Sequence, residues 1–147
     1  GRGRSRAEMV AWLESKGVDA GIATEAVERL AEIGLIRDED VAADEARRAA
    51  AKGLSARAMA ERLRQRGVAS GEGGEVERAG DAQRAIQVAM DVVGDELSRR
   101  ERETVDVNVL ARRVMGVLAR KGYDDESARE AVLAAFREHG LRLDVAE

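Results

Sequence analysis

The sequence predicts an all-α protein built from repeated helical units, and three observations carry that expectation. The 147 residues contain no proline and much alanine, the residue that costs an α-helix least. The hydrophobic fraction is 44% but the aromatic fraction only 2%, so the core is expected to consist of Ala, Val, Leu and Met side chains. One short pattern also occurs three times: Trp12-Leu13-Glu14-Ser15-Lys16-Gly17-Val18, Arg62-Leu63-Arg64-Gln65-Arg66-Gly67-Val68 and Val117-Leu118-Ala119-Arg120-Lys121-Gly122-Tyr123. Copies fifty and fifty-five residues apart mark a helical repeat protein.

Each copy reads as the end of an amphipathic helix. Leu13, Leu63 and Leu118 stand four residues before the glycine; Met9, Met59 and Val114 stand eight before; Val10, Ala60 and Met115 stand seven before. Apolar residues at such spacings share one helix face. A base precedes each glycine (Lys16, Arg66, Lys121), where it complements the negative end of the helix dipole. The glycine adopts the left-handed backbone that a Cβ disfavours, and Val18, Val68 or Tyr123 folds back on the last turn. Ser5 and Ser55, each twelve residues before a glycine, are placed to cap their helices. The third copy has Leu110 there, with Asn108 as its candidate cap.

Residues 1–4 read as a flexible basic tail, with arginines continuing to Arg6. After Gly17 a helix is expected over 20–33, with Ile22, Ala26, Val27, Leu30 and Ile33 as its stripe and Gly34 as its stop. Asp38-Glu39-Asp40 opens a helix that runs to Lys52 and stops at Gly53. Gly71, Gly73 and Gly74 weaken any helix after the second copy. Residues 69–80 therefore read as a degenerate, mobile helix, or as an inserted loop with the helix displaced to 82–93. Ala82, Ile86, Ala89, Val93 and Leu97 form the stripe of the helix before the third copy. Glu130-Ala131-Val132 repeats Glu25-Ala26-Val27, and Phe136, Gly140 and Leu141 close the last helix. With the helices of a unit lettered A, B and C, the order is B-C, A-B-(C), A-B-C. Repeat 1 covers residues 5–37 without its first helix, repeat 2 covers 38–80 and repeat 3 covers 81–147.

Several chemistries are excluded. Without cysteine there is no disulfide, thiolate zinc site or cysteine nucleophile. The lone histidine, His139, reads as a helix-end residue, and the three adjacent acids at 38–40 do not converge on one ion. The glycines at 71, 73 and 74 have no strand before them and no Gly-Lys-Ser/Thr after them, so they make no phosphate loop. No enzyme, metal or cofactor is expected. No apolar run approaches the ~20 residues of a membrane span and no signal peptide is visible; the expectation is a cytoplasmic protein.

The net charge of −4 is segregated. Residues 18–45 hold nine acids and two bases, residues 46–68 seven bases and one acid, and residues 108–121 four bases and no acid. The candidate contact residues are Arg47, Arg48, Lys52, Arg57, Arg62, Arg64 and Arg66, with Arg112, Arg113 and Arg120 as a second set beside Lys121. They suit DNA phosphates or an acidic protein surface. A plainer reading makes them a solvated face, with Arg66 and Lys121 finishing their helices.

The ordered set of motifs resembles the RecX family of recombinase regulators over roughly residues 5–141. The resemblance is carried by Ser5-Arg6-Ala7-Glu8-Met9 through Lys16-Gly17, then Leu30-Ala31-Glu32-Ile33-Gly34-Leu35-Ile36-Arg37-Asp38-Glu39. It resumes at Lys52-Gly53-Leu54, the second copy and Leu118 to Tyr123. Val41 stands where the family usually has an aromatic, and Arg37 where it favours Asp. The resemblance implies an elongated, curved array of three-helix repeats that is not an enzyme; the chain is expected to be a monomer. Such proteins bind the RecA–DNA filament, lying in its helical groove; single- or double-stranded DNA is a further candidate partner for this chain. They modulate RecA in recombination, repair and the SOS response, usually by inhibition. From the residues alone, a DNA-binding helix-turn-helix-like regulator and a generic helical interaction scaffold stay open. A recognition helix carrying base-reading residues would mark the former.

Overall fold

The computed structural model describes residues 3–68 and 75–143. Among these the chain is all helical and has no strand. The helices are α1 (Arg6–Ser15), α2 (Ala20–Glu32), α3 (Asp38–Ala51), α4 (Ala56–Gln65), α5 (Glu75–Arg99), a 3-10 turn (Arg102–Thr104), α6 (Val107–Arg120) and α7 (Asp125–Glu138). The three sequence copies are the ends of α1, α4 and α6. Residues 75–80 lead without a break into the helix expected over 82–97, so α5 is 25 residues long. The expectation for 69–74 lies outside the described residues.

The chain divides into two compact units. The first comprises Gly1–Ala50 with Met59–Glu72, the second Ala51–Ala58 with Gly73–Glu147. In the first unit α1 packs on α2, and Val41, Leu63 and Val68 form a small core. The helix expected over 20–33 is present as α2, but it buries Ala23 and Val27 and leaves Ile22 and Ile33 exposed. In the second unit α5 packs most extensively on α7, and α6 against both. Val93, Leu110, Val114, Leu118, Val132 and Phe136 lie at the centre of that core.

Helix ends follow local chemistry. Ser5 makes a capping box with Glu8: its hydroxyl accepts from the Glu8 N–H, and the Glu8 carboxylate accepts from the Ser5 N–H. The Ser55 hydroxyl accepts from the Ala58 N–H at 3.1 Å. The third copy differs from expectation. Asp106, not Asn108, caps α6, accepting from the N–H groups of Asn108 and Val109 at 3.0 and 3.2 Å. The helix thus starts earlier than its counterparts, which places Leu110 inside the core.

Candidate interaction surface

The three glycine turns have one geometry. The N–H of Val18, Val68 and Tyr123 donates to the carbonyl of Leu13, Leu63 and Leu118 at 3.1, 3.0 and 3.1 Å. Gly17, Gly67 and Gly122 all have positive φ, at 91, 72 and 96°. This pattern satisfies carbonyls that a helix end otherwise leaves without partners.

Two of the turns carry the start of another helix. In the first unit the Ser5 hydroxyl donates to the Arg66 carbonyl, and Ala7 lies directly against Gly67. In the second unit the Ser55 N–H donates to the Lys121 carbonyl at 3.0 Å, and Ala58 lies against Gly122. The base before each glycine reaches upstream of the capping serine. Arg66 Nη2 donates to the Gly3 carbonyl at 2.6 Å, and Lys121 Nζ donates to the Lys52 carbonyl at 2.6 Å. Arg66 and Lys121 therefore hold a joint as well as ending a helix.

Arg66 is the most enclosed of the candidate cations, at 8% exposure. Its guanidinium forks onto Glu8, at 2.8 Å from Nη2 and 3.2 Å from Nε, and lies 3.5 Å from Glu45. Burial acts to raise the Glu8 pKa, but hydrogen bonds from Arg66 and Ser5, with the charge of Arg66, outweigh it and hold the carboxyl below its ordinary range. The bond to Glu8 in turn raises the Arg66 pKa. Glu45 is only 3% exposed. It gathers Arg48 and Arg62 as well, at 3.9 and 3.5 Å.

The remaining candidates separate by what they touch. Arg47 pairs with Asp44, Arg64 with Glu61 and Arg113 with Glu96 at 2.8 Å. In the second unit Lys52, Arg57, Arg112 and Arg120 are exposed and have no carboxylate in ion-pair range among the described residues. Lys52 and Arg57 flank the Gly122 turn, where Arg57 Nη2 donates to the Gly122 carbonyl at 3.0 Å. Arg112 and Arg120 are eight residues apart on one face of α6. The structure thus gathers Arg48, Arg62 and Arg66 around one carboxylate in the first unit. In the second it leaves Lys52, Arg57, Arg112 and Arg120 without acidic partners.

Glu8 and Glu45 were not singled out in the sequence, although each left a signal. Ser5-Arg6-Ala7-Glu8 is a capping-box pattern. Glu45 stands on the buried face of α3 between Val41 and Ala49, where a charge needs a partner. Trp12, at the edge of the α1 stripe, is 41% exposed, with Arg4 4.9 Å from its ring centre and Lys16 5.9 Å from it. Among the described residues no group of acids and histidines is placed to hold a metal, and no helix is long and apolar enough to cross a membrane.

Comparison with known proteins places this helical assembly in a class of regulatory proteins. No family model matches the chain. It is 37% identical over 135 residues to the regulatory protein RecX of Mycobacterium ulcerans, covering 90% of this chain and 77% of the relative. Against the regulatory protein RecX of Mycobacterium avium the identity is 38% over the same shares. Against that of Mycolicibacterium vanbaalenii it is 34% over 138 residues, covering 90% of this chain and 75% of the relative. The chain belongs to the RecX family.

Proposed function

We propose that this protein is a non-enzymatic regulator of RecA that binds the RecA filament on single-stranded DNA and slows ATP hydrolysis and strand exchange in the cytoplasm. The observation that carries the reading is family membership: identity of 37–38% to regulatory RecX proteins across nine-tenths of the chain. In this reading the helices form repeats over residues 5–37 (α1 and α2, without a leading helix), 38–80 (α3, α4 and the start of α5) and 81–147 (the rest of α5, α6 and α7). The matched turns of α1, α4 and α6 support that organisation.

Within the reading, Lys52, Arg57, Arg112 and Arg120 make the principal contact with filament phosphates or acidic RecA side chains. Their exposure and lack of carboxylate partners among the described residues support this choice. Arg47, Arg48, Arg62, Arg64, Arg66 and Arg113 are already paired with acids, so they add less.

The test is RecA ATPase on single-stranded DNA with rising amounts of the protein, alongside co-sedimentation with filaments. Hydrolysis is expected to fall as the protein joins the pellet. Replacing Lys52, Arg57, Arg112 and Arg120 together with alanine should weaken binding and flatten its salt dependence. Unchanged hydrolysis with no co-sedimentation defeats the regulatory reading. A quadruple variant that binds like the parent defeats the choice of surface alone.

A further inference from the structure

The first unit exposes the chain's only tryptophan between two cations. Trp12 lies near the end of α1, with Arg4 Cζ 4.9 Å from its ring centre and Lys16 Nζ 5.9 Å from it. Trp12 and Lys16 stand four residues apart, so they share one face of the helix end. The matching positions of the other two copies are used internally: Arg62 reaches Glu45, and Val117 packs on the core of the second unit. Trp12 belongs to neither core. The turn beyond it is open as well. A Cβ on Gly17 would meet nothing within 4 Å among the described residues, whereas one on Gly67 or Gly122 would strike a neighbour.

The charges around the ring leave both cations free. Arg4 and Lys16 are exposed and have no carboxylate in ion-pair range among the described residues. Of the nearby acids, Glu8, one turn before Trp12, is held by Arg66 at 2.8 Å. Glu14 lies about 200° round the helix from Trp12. Asp19 caps α2, accepting from the Gly21 N–H at 3.1 Å. Arg4 also lines a cavity of about 370 Å³ with Arg37 and Arg47, beside Asp40 and Asp44. Asp44 is taken by Arg47 and Arg48, while Arg37 has no carboxylate in range among the described residues.

An exposed aromatic ring flanked by free cations suits a single strand of nucleic acid. The ring face takes an unstacked base, and the cations take the phosphates beside it. A duplex keeps its bases stacked and offers this surface its phosphates alone. Acidic side chains of a protein satisfy the cations but supply no plane for the ring.

We propose that Trp12, Arg4 and Lys16 form a stacking site for single-stranded nucleic acid. A base lies on the exposed part of the ring, its flanking phosphates meet Arg4 and Lys16, and the strand continues past Arg4 towards Arg37. Because every base has a π-face, the site is tolerant of sequence. It contacts the strand without RecA and uses none of the four cations Lys52, Arg57, Arg112 and Arg120. It therefore goes beyond the RecA reading and does not rest on it.

The experiment titrates the full chain, in the absence of RecA, with an oligothymidylate of about twelve nucleotides. Tryptophan emission reports Trp12 alone. Stacking should quench it, and affinity should fall with salt as about two or three phosphate contacts dictate. Variant affinities are read from the anisotropy of the fluorescein-labelled oligonucleotide. Trp12→Leu keeps an apolar side chain and should weaken binding about tenfold or more; Trp12→Phe should recover part of that loss. Arg4→Ala and Lys16→Ala should weaken binding and flatten its salt dependence, with quenching at saturation retained. All three positions are exposed, so the circular dichroism spectrum should not change. The proposal is overturned by an absence of quenching, or by a Trp12→Leu variant that binds like the parent. Quenching that inorganic polyphosphate or a duplex of the same length reproduces also overturns it, since neither offers an unstacked base. Failure here leaves the RecA reading standing, because RecA takes no part in the measurement.

Discussion

The Tyr123 hydroxyl donates to the Gly53 carbonyl at 2.7 Å. The bond joins the turn after α6 to the turn after α3 across 70 residues of sequence, and the ring is 5% exposed. Tyr123→Phe keeps the packing and removes one bond. It is expected to lower stability by about 1 kcal/mol, since a partly buried carbonyl is left without its donor; urea denaturation reads this directly. An unchanged midpoint would show that the carbonyl finds another donor.

The same tyrosine gives a titration free of overlap, because it is the chain's only one. Burial raises its pKa above the ordinary 10.0, the Arg84 charge acts to lower it, and Asp81 raises it further. A raised folded value favours the neutral phenol, so this contribution to stability is complete below pH 10 and is lost as pH rises through the folded pKa. Phenolate absorbance in native protein should appear at higher pH than in urea-unfolded protein. Coincident curves would rule out the enclosed environment.

Alanine at the three glycines should separate backbone strain from joint geometry. Gly17→Ala faces open space and pays only for its positive φ, about 1–2 kcal/mol. Gly67→Ala and Gly122→Ala add a collision with Ala7 and with Ser55 and Ala58, so each should cost about 1–3 kcal/mol more. Equal costs at all three, measured by thermal denaturation, would mean that the joints yield without penalty.

Much of this fold is legible in one sequence because its signals are local. The periodicity around Leu13, Leu63 and Leu118 marks helices, and Gly17, Gly67 and Gly122 mark their ends. What those ends touch is not local. Lys121 and Lys52 are 69 residues apart, and nothing in the spacing of either pairs them. The charge of the block was misleading for the same reason. Counted along the chain, residues 46–68 carry a surplus of six positive charges (seven bases less one acid). In space, acids from outside that segment, Glu8, Asp44 and Glu45, neutralise much of it. The exposure of Ile22 and the burial of Ala23 likewise depend on which neighbours α2 has, which its own periodicity does not reveal.

Acid should weaken the first unit through Glu8. Its folded pKa lies below the ordinary 4.5, so the unfolded chain takes up the proton first as pH falls. The stabilisation is complete above pH 4.5 and is lost as pH drops through the folded value. Glu8→Gln removes the charge at every pH. The parent's stability advantage over that variant should be constant near neutrality and shrink below pH 4.5, as followed by urea denaturation. An advantage that persists unchanged in acid would show that the carboxylate charge is not its source.

Arg62 and Arg64 stand two residues apart on α4, yet they should respond differently to alanine. Arg64 is a solvated side chain paired with Glu61 within its own helix. Such a pair is worth a few tenths of a kcal/mol, and alanine's higher helix propensity offsets its loss. Arg64→Ala is therefore expected within about 0.5 kcal/mol of the parent. Arg62 reaches Glu45, whose side chain is 4% exposed. Removing Arg62 leaves that carboxylate with Arg48 and Arg66 at 3.9 and 3.5 Å, so its enclosed charge is less well compensated. Arg62→Ala should cost about 1–3 kcal/mol, and adding Glu45→Gln should recover part of that loss because the neutral amide tolerates burial better. Urea denaturation of the two single variants and the double variant gives the coupling. If the Glu45→Gln change makes Arg62→Ala worse, the carboxylate remains adequately paired by Arg48 and Arg66, and Arg62 stabilises α4 through packing of its aliphatic stem.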